Sequence, residues 1–300
     1  MRPTSLALSM ALLVHPAVAG SQPAARPANP GEMSPTAAPW LDDRGPGIWT
    51  SIFGTYVRSR ELLVSPFAEY YFDDNFEYKP AELGYGLDQD FRGRFRATEG
   101  LVFLAYGVND RLALELEASV ISARLDKAAD DPSSQPARIR ESGQGDWQVE
   151  LDWRVFAETA SRPEVFALLE IDPPSNRHAA LIGTPDWEVK LGAGMIRGLG
   201  WGTVAARAGL IYSAEGGTVE ASEYAVEYLK RLSPRWRVYG GIEGEQDEVE
   251  LIGEAQWHFS PRAYLRLNLS RGLSSKATDW APDVGVVFAL PGRGNARTSE

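Results

Sequence analysis

The feature that most constrains the fold is an alternation of polar and apolar residues on both sides of the short turn 260–262. Between Glu248 and Phe259 one face of the chain is acidic or polar and the other is mostly aliphatic or aromatic, and Tyr264 to Arg271 repeats the pattern. A period of two residues indicates β-strands. A polar face opposite an apolar face of this length is typical of a transmembrane β-barrel, which has lipid outside and water inside.

The same alternation recurs along the chain and predicts an all-β protein, an antiparallel up-and-down transmembrane β-barrel of about twelve strands. The predicted strands span residues 62–72, 94–106, 112–123, 146–156, 164–171, 187–196, 202–212, 223–231, 236–243, 248–259, 264–272 and 280–289. Short connections alternate with connections that are mostly longer, as periplasmic turns alternate with outer loops in outer-membrane barrels. Two outer connections, 213–222 and 244–247, are short, so we expect an uneven outer rim.

Charged residues share one face in the clearest strands, at 112–117, 147–155 and 187–192. This segregation is expected where lipid is the solvent, because an Arg or Lys facing lipid near the midplane costs roughly 2–4 kcal/mol. Tryptophans at or near the predicted strand ends would form interfacial girdles: Trp147, Trp187, Trp201, Trp236, Trp257 and Trp280. The alternative is a soluble periplasmic sandwich with an ordinary core, which requires neither these aromatic ends nor alternating connection lengths.

The N-terminus has the parts of a signal peptide, namely Arg2, the apolar run 6–14 and the small residues 17–19. We predict a signal peptide at 1–19, a disordered periplasmic linker at 20–46, an outer-membrane β-barrel at 47–290 and a C-terminal tail at 291–300. Residues 49–57 would be an interfacial segment, an extra strand or an inner strap, and the sequence does not choose between these. The predicted location is the outer membrane of a Gram-negative bacterium.

Composition excludes several classes of protein. The formal net charge of −11 argues against general nucleic-acid binding, which requires a basic surface. The absence of cysteine excludes disulfides, thiolate metal sites and a lipid-modified N-terminal cysteine. A helical membrane protein is also excluded, because no uninterrupted apolar run reaches about 18 residues.

Short motifs between residues 45 and 289 carry a family resemblance: Phe76-Glu77-Tyr78-Lys79-Pro80, Asp90-Phe91-Arg92-Gly93, Ala105-Tyr106-Gly107, Glu141-Ser142-Gly143-Gln144-Gly145-Asp146, Gly183-Thr184-Pro185-Asp186-Trp187 and Thr278-Asp279-Trp280-Ala281-Pro282. With these motifs the chain resembles the uncharacterised bacterial outer-membrane β-barrels grouped with the proposed transporters of the phenol meta-degradation pathway. The resemblance implies a small outer-membrane barrel, either porin-like or a channel for hydrophobic solutes, and it brings no catalytic residues. Barrels of this kind commonly end on a strand with a terminal aromatic residue. This chain departs from that pattern, because twelve residues, 289–300, follow Phe288.

Few residues suggest chemistry. Apart from the predicted signal peptide the chain has two histidines, His178 in a predicted outer loop and His258 on the predicted lumen face. We predict no enzyme activity, no metal site and no cofactor, and an outer-membrane hydrolase that uses His258 with Ser260 or Ser270 is the third-ranked hypothesis.

The acidic outer turn 243–250 would either bind divalent cations shared with lipopolysaccharide or be a solvated acidic turn.

The function is therefore expected in the lumen. The predicted pore-lining residues are Glu115, Glu117, Glu150, Asp152, Arg154, Lys190, Arg207, Arg237, Glu250, Glu254 and Arg266. If a water-filled path remains, the barrel allows passive diffusion of small solutes with a weak cation preference, because acids outnumber bases on the predicted lumen face. If these charges pair across the lumen, the barrel is closed and has a structural or surface-interaction role. The expected partners are outer-membrane lipid and lipopolysaccharide, the barrel-assembly machinery and small solutes.

Overall fold

The computed structural model describes residues 38–52, 54–176, 178–214 and 217–292. Twelve strands, β3 to β14, form the barrel wall. Their bounds are Glu61–Tyr78, Phe91–Gly107, Leu112–Asp126, Arg138–Phe156, Glu164–Asp172, Glu188–Leu199, Gly202–Ser213, Thr218–Ser233, Trp236–Glu245, Glu248–Ser260, Ala263–Gly272 and Ala281–Pro291. Before them come a 3₁₀ helix, Pro39–Leu41, and the short strands β1, Ile48–Trp49, and β2, Tyr56–Val57.

The wall is an antiparallel meander in which each strand pairs with the next along the chain, and β14 closes the barrel on β3. Each of the twelve predicted strands is present, so the predicted fold class is confirmed. Within the described residues, no helix has the length and apolar character needed to cross a membrane. The predicted signal peptide and residues 293–300 of the predicted tail lie outside the described residues.

An apolar belt surrounds the barrel. Its exposed side chains midway along the strands are Val102, Leu114, Leu116, Leu151, Leu191, Leu210, Val226, Ile242, Leu251, Leu267 and Val284. Exposed aromatics border the belt at one end (Tyr106, Phe156, Trp201, Trp236, Trp257, Phe259 and Phe288) and at the other (Trp187, Tyr212, Tyr224 and Trp280). A belt between two aromatic girdles is the surface that an outer-membrane barrel presents to lipid.

Short turns lie at one end of the barrel and longer loops at the other. Short turns face the periplasm in outer-membrane barrels, so we call the end with turns 234–235 and 261–262 the periplasmic end. The wall is higher around β3 to β6, which have 18, 17, 15 and 19 residues, than around β7, which has 9. The outer rim is therefore uneven. Strand β6 begins at Arg138 rather than at the predicted 146, which places Trp147 within the strand and not at its end.

Residues 38–52 and 54–60, which we call the strap, run inside the barrel at its periplasmic half. The strands β1 and β2 pair as a hairpin, with Ile48 opposite Val57. The ring of Trp49 stacks on Phe166 of the wall at 4.7 Å, and Ile48 packs in a buried cluster with Phe103 of β4. The segment that the sequence left open is thus an inner strap.

The strap also changes the boundary of the predicted linker. Residues 38–46, placed by the sequence in a disordered linker, contact the wall through Arg44, whose guanidinium donates hydrogen bonds to Glu158 at 3.0 Å and Glu164 at 3.1 Å. All three side chains are almost fully buried. A composition rich in Pro, Ala and Gly gives no periodic signal, so the sequence could not show that this part of the chain enters the lumen.

Candidate functional site

Among the described residues, two cavities lie in the lumen, one on each side of the strap. The outer cavity, of about 440 Å³, is bounded below by Trp49, Ser51 and Ile52 of the strap. The periplasmic cavity, of about 680 Å³, is bounded by strap residues 44–46 and 55–58 and by the periplasmic turns. A solute crossing the barrel would have to pass the strap.

The outer cavity is strongly acidic. Its lining includes ten acids, Glu69, Glu99, Glu117, Asp146, Glu150, Glu170, Glu223, Glu243, Glu250 and Asp283, and three bases, Lys190, Arg207 and Arg266. The Tyr71 hydroxyl lies 3.0 Å from a carboxylate oxygen of both Glu69 and Glu99. In the part of the chain that the structure describes, Glu69, Glu99 and Glu117 take part in no ion pair with Lys or Arg. These carboxylates add to the excess of acids over bases in the lining of the outer cavity.

The bases of the outer cavity are held by acids. Arg207 forms ion pairs with Glu223, Glu227 and Glu243, the last at 2.9 Å. Its guanidinium also lies 5.1 Å from the centre of the Trp49 ring, so the ion-pair cluster contacts the strap. Such pairs narrow the lumen and fix its shape.

Two further ion-pair clusters link neighbouring strands on the inner face of the wall. Arg266 lies between Glu254 at 3.0 Å and Asp283 at 2.8 Å. Lys190 contacts Glu170 at 2.8 Å and Asp172 at 3.7 Å. Because each base contacts more than one acid, the clusters retain excess negative charge.

The periplasmic cavity has the opposite charge. Its lining contains six arginines and one acid, Glu61; the arginines are Arg44, Arg58, Arg231, Arg235, Arg237 and Arg262. Among the described residues only Arg44 of these six forms a side-chain ion pair with a carboxylate. Arg237 is 6% exposed and donates to His258 Nε2 at 3.0 Å. This cavity is a basic chamber that attracts anions.

The geometry does not support the hydrolase hypothesis. The Nε2 atom of His258 accepts the hydrogen bond from Arg237, so it is not free to take a proton from a serine. Ser270 lines the outer cavity and His258 the periplasmic one. The structure therefore does not bring His258 and Ser270 together, whereas Ser260 lines the periplasmic cavity with His258 and its hydroxyl oxygen accepts a hydrogen bond from the amide of Arg262.

The eleven residues predicted to line the pore fall into four groups. Those in the outer cavity are Glu117, Glu150, Lys190, Arg207, Glu250 and Arg266, and Arg237 lies in the periplasmic cavity. Glu115, Asp152 and Glu254 are buried in the inner face of the wall, at 2%, 0% and 4% exposure. Arg154 lies near the strap at the periplasmic end, 3.1 Å from Glu164.

Several charged residues of the lumen are not among the predicted pore-lining residues, and two sets of them show why. Glu69 and Glu99 are not among the predicted pore-lining residues. Their inner-face neighbours, such as Phe67 and Leu101, are apolar, so the alternation of polar and apolar residues is not visible in these strands. The strap residues Arg44 and Arg58 lie outside every predicted strand. Only the strap itself, which covers the inner face of β3 and β4, explains that apolar pattern.

The acidic outer turn 243–250 is divided between different environments. Glu243 and Glu250 line the outer cavity, whereas Asp247 at the rim accepts a hydrogen bond from Lys276 at 2.7 Å. This hydrogen bond lowers the pKa of Asp247 and raises that of Lys276 relative to their ordinary values. The five acids of this turn therefore do not form one shared cation site.

No protein-family model matches the chain, and no curated protein matches it. Among solved structures, the chain is similar to an outer membrane channel from Pseudomonas putida F1, at 16% identity over 81% of this chain and 100% of that chain, with a TM-score of 0.58. It is also similar to the KdgM porin, at 6% identity over 75% and 98% of the two chains and a TM-score of 0.46. The toluene transporter TbuX from Ralstonia pickettii gives 11% identity over 78% and 90%, with a TM-score of 0.40. The first of these likenesses shows the barrel fold, and the apolar belt between two aromatic girdles is the surface that such a barrel presents to the lipid of an outer membrane.

Proposed function

We propose that the protein is an outer-membrane channel for the passive diffusion of small polar solutes, with the strap acting as the gate between its two chambers. The observation that carries the proposal is the pair of cavities, about 440 and 680 Å³, on opposite sides of one short inner segment. A purely structural barrel would gain stability from filling such space with packed side chains. Lipopolysaccharide and the barrel-assembly machinery remain predicted partners.

The charges of the two chambers support polar rather than hydrocarbon solutes. Sites for apolar ligands are lined mostly by hydrophobic and aromatic side chains, whereas ten acids line the outer cavity and six arginines the periplasmic one. The resemblance to the proposed phenol-pathway transporters therefore supports a solute channel in general and not a hydrocarbon path. The two chambers in series favour solutes that are neutral or carry both signs of charge.

The strap predicts a large change in conductance when it is removed. We expect the refolded full-length mature protein to conduct weakly in planar bilayers, and a variant lacking residues 39–57 to conduct several-fold more, because its periplasmic half is no longer crossed by the strap. Trp49→Ala, which removes the stacking on Phe166 at 4.7 Å, should give an intermediate value or brief openings.

Folding of each variant is checked by heat-modifiable migration on a denaturing gel. A folded deletion variant without conductance would reject the channel and support the closed barrel. If the wild type conducts as strongly as the deletion variant, the strap is not a gate, although the protein is still a channel.

A weak cation preference is part of the same proposal, and it depends on the unpaired acids of the outer cavity. Glu117→Gln with Glu250→Gln should lower the cation-to-anion permeability ratio, measured from reversal potentials under a salt gradient. Arg235→Gln with Arg237→Gln should raise the ratio, because it removes positive charge from the other chamber. The preference should weaken as salt rises, since screening acts over about 10 Å at 0.1 M.

The matched control is Glu82→Gln, which removes one acid from the outer loop between β3 and β4 and not from the lumen. This control should leave the reversal potential unchanged. Anion preference in the wild type, or the same reversal potential in all of these variants, would exclude the named residues from the conducting path.

A closed structural barrel is the second candidate, and the ion pairs of the lumen favour it. Arg207 contacts three glutamates and Arg266 contacts Glu254 and Asp283, so charged side chains bridge neighbouring strands inside the barrel. Absence of conductance in the folded deletion variant would support this reading.

A further inference from the structure

Three carboxylates meet on the lumen wall without a cationic partner. Glu115 on β5 and Glu150 and Asp152 on β6 are exposed by 2%, 2% and 0%, and one oxygen from each lies within 4.8 Å of the others. Among the described residues, none of the three forms an ion pair with Lys or Arg. Buried carboxylates this close together must share protons or bind a cation, because their mutual repulsion is not screened by water.

The backbone register itself brings these acids together. Glu115 is directly opposite Glu150 across β5 and β6, and Glu150 is opposite Glu170 across β6 and β7. Like charges directly opposite one another destabilise a sheet. The next residue in this row, Lys190, is opposite Glu170 and contacts that carboxylate and Asp172. The positive charge of Lys190 therefore pairs with Glu170 and Asp172 and not with Glu115, Glu150 or Asp152.

Within the part of the chain that the structure describes, four carboxylate oxygens of this cluster are buried without a hydrogen-bond donor. They are Oε1 of Glu115, Oε1 of Glu150 and both oxygens of Asp152. The remaining oxygen of Glu115, Oε2, accepts hydrogen bonds from the amide of Ser51 at 3.1 Å and from its hydroxyl at 2.5 Å. A buried oxygen without a donor is costly, and four in one cluster indicate a ligand that supplies positive charge.

We propose that Glu115, Glu150 and Asp152 form a binding site for one calcium ion. Calcium takes six to eight oxygen ligands at 2.3–2.6 Å in flexible geometry, and three oxygens that all lie within 4.8 Å of one another are close enough to share one such ion. Magnesium demands near-ideal octahedral geometry and retains several waters, which suits a buried site less well. Glu150 and Ser51 also line the outer cavity, which gives the ion a path from the outer side.

Calcium at this position would fasten the strap to the wall. The Ser51 hydrogen bonds require Glu115 to keep its orientation, and an ion shared with β6 holds that carboxylate in place. The site stands on burial, register and unpartnered oxygens, and it does not depend on whether the barrel conducts.

The test uses the full mature chain, refolded from inclusion bodies so that no lipopolysaccharide is present. Equilibrium dialysis with radioactive calcium should give one tightly bound ion per chain. The Tm of unfolding, followed by heat-modifiable migration, should be about 5 to 10 °C higher in calcium at about a hundredfold its Kd than in an EDTA-treated sample. Magnesium should bind at least tenfold more weakly.

The double variant Glu150→Gln, Asp152→Asn should lose the bound ion and the Tm rise. It should be at least as stable as the wild type in EDTA, because removing two carboxylates removes repulsion, and this separates loss of the site from failure to fold. The control Glu245→Gln, Asp247→Asn at the outer rim should keep both signals. No bound calcium in the wild type, or equal binding in both double variants, would overturn the site, and equal affinity for magnesium would overturn its assignment to calcium.

Discussion

Leu267→Arg should prevent or severely impair assembly of the barrel, whereas Asn268→Arg should be tolerated. Leu267 lies midway along β13, is 49% exposed on the outer face and is directly opposite Val284, itself 47% exposed. An arginine at this depth in lipid costs roughly 2–4 kcal/mol. Since neighbouring outward residues are apolar as well, the new charge would find no partner.

Asn268 is the matched control because it is the next residue and points to the other side of the wall. It lines the outer cavity and lies directly opposite Glu254 on β12 and Asp283 on β14, so an arginine there would meet acids. The measurement is the folded fraction in lipid vesicles by heat-modifiable migration, together with the urea midpoint. Leu267→Ala reports the effect of losing the side chain alone. Equal folding of both arginine variants would show that this face of β13 does not contact lipid.

The lipid face of the barrel could be predicted from sequence because lipid imposes a rule on single residues. Every outward position near the midplane must be apolar, so Leu251, Leu267 and Val284 mark the face without knowledge of any partner. Strand ends were harder to place. Above the membrane, β6 continues into charged residues from Arg138, where outward positions face water and the alternation no longer has to hold.

The lumen was less predictable because its pattern depends on what fills it. On β3 the inward residues Leu63 and Phe67 are apolar although they face the lumen, since they pack around the buried strap residues Ile48, Ile52 and Val57. Neither face of that strand is polar enough to show which is inside. The strap itself has only two-residue strands and no periodicity. Its position depends on contacts with distant parts of the chain.

Which charges meet in the lumen depends on register across several strands. The sequence places Glu115 and Glu150 on lumen faces, but only the pairing of β5 with β6 makes them direct neighbours. In the same way, Arg266 and Asp283 become partners through the shift of β13 against β14, in which Asp283 is opposite Asn268. A count of acids and bases therefore could not separate paired from unpaired residues, nor the acidic outer cavity from the basic periplasmic one.

Arg266→Gln should destabilise the barrel by about 3–5 kcal/mol, because it removes one partner from a buried ion-pair cluster. Arg266 is 3% exposed and contacts Glu254 at 3.0 Å and Asp283 at 2.8 Å, and these acids are 4% and 8% exposed. Its guanidinium also lies 5.1 Å from the centre of the Phe67 ring. Glutamine has no charge, so the two carboxylates would remain buried without compensation.

The triple variant Arg266→Gln, Glu254→Gln, Asp283→Asn separates this effect from a loss of packing. Replacing a whole buried cluster by neutral side chains of similar size is often close to neutral, so the triple variant should regain most of the stability that the single variant loses. Urea unfolding in lipid vesicles gives the three midpoints. If the triple variant is as unstable as Arg266→Gln, the loss comes from packing against Phe67, and the ion pairs of β12 to β14 do not hold the lumen in shape.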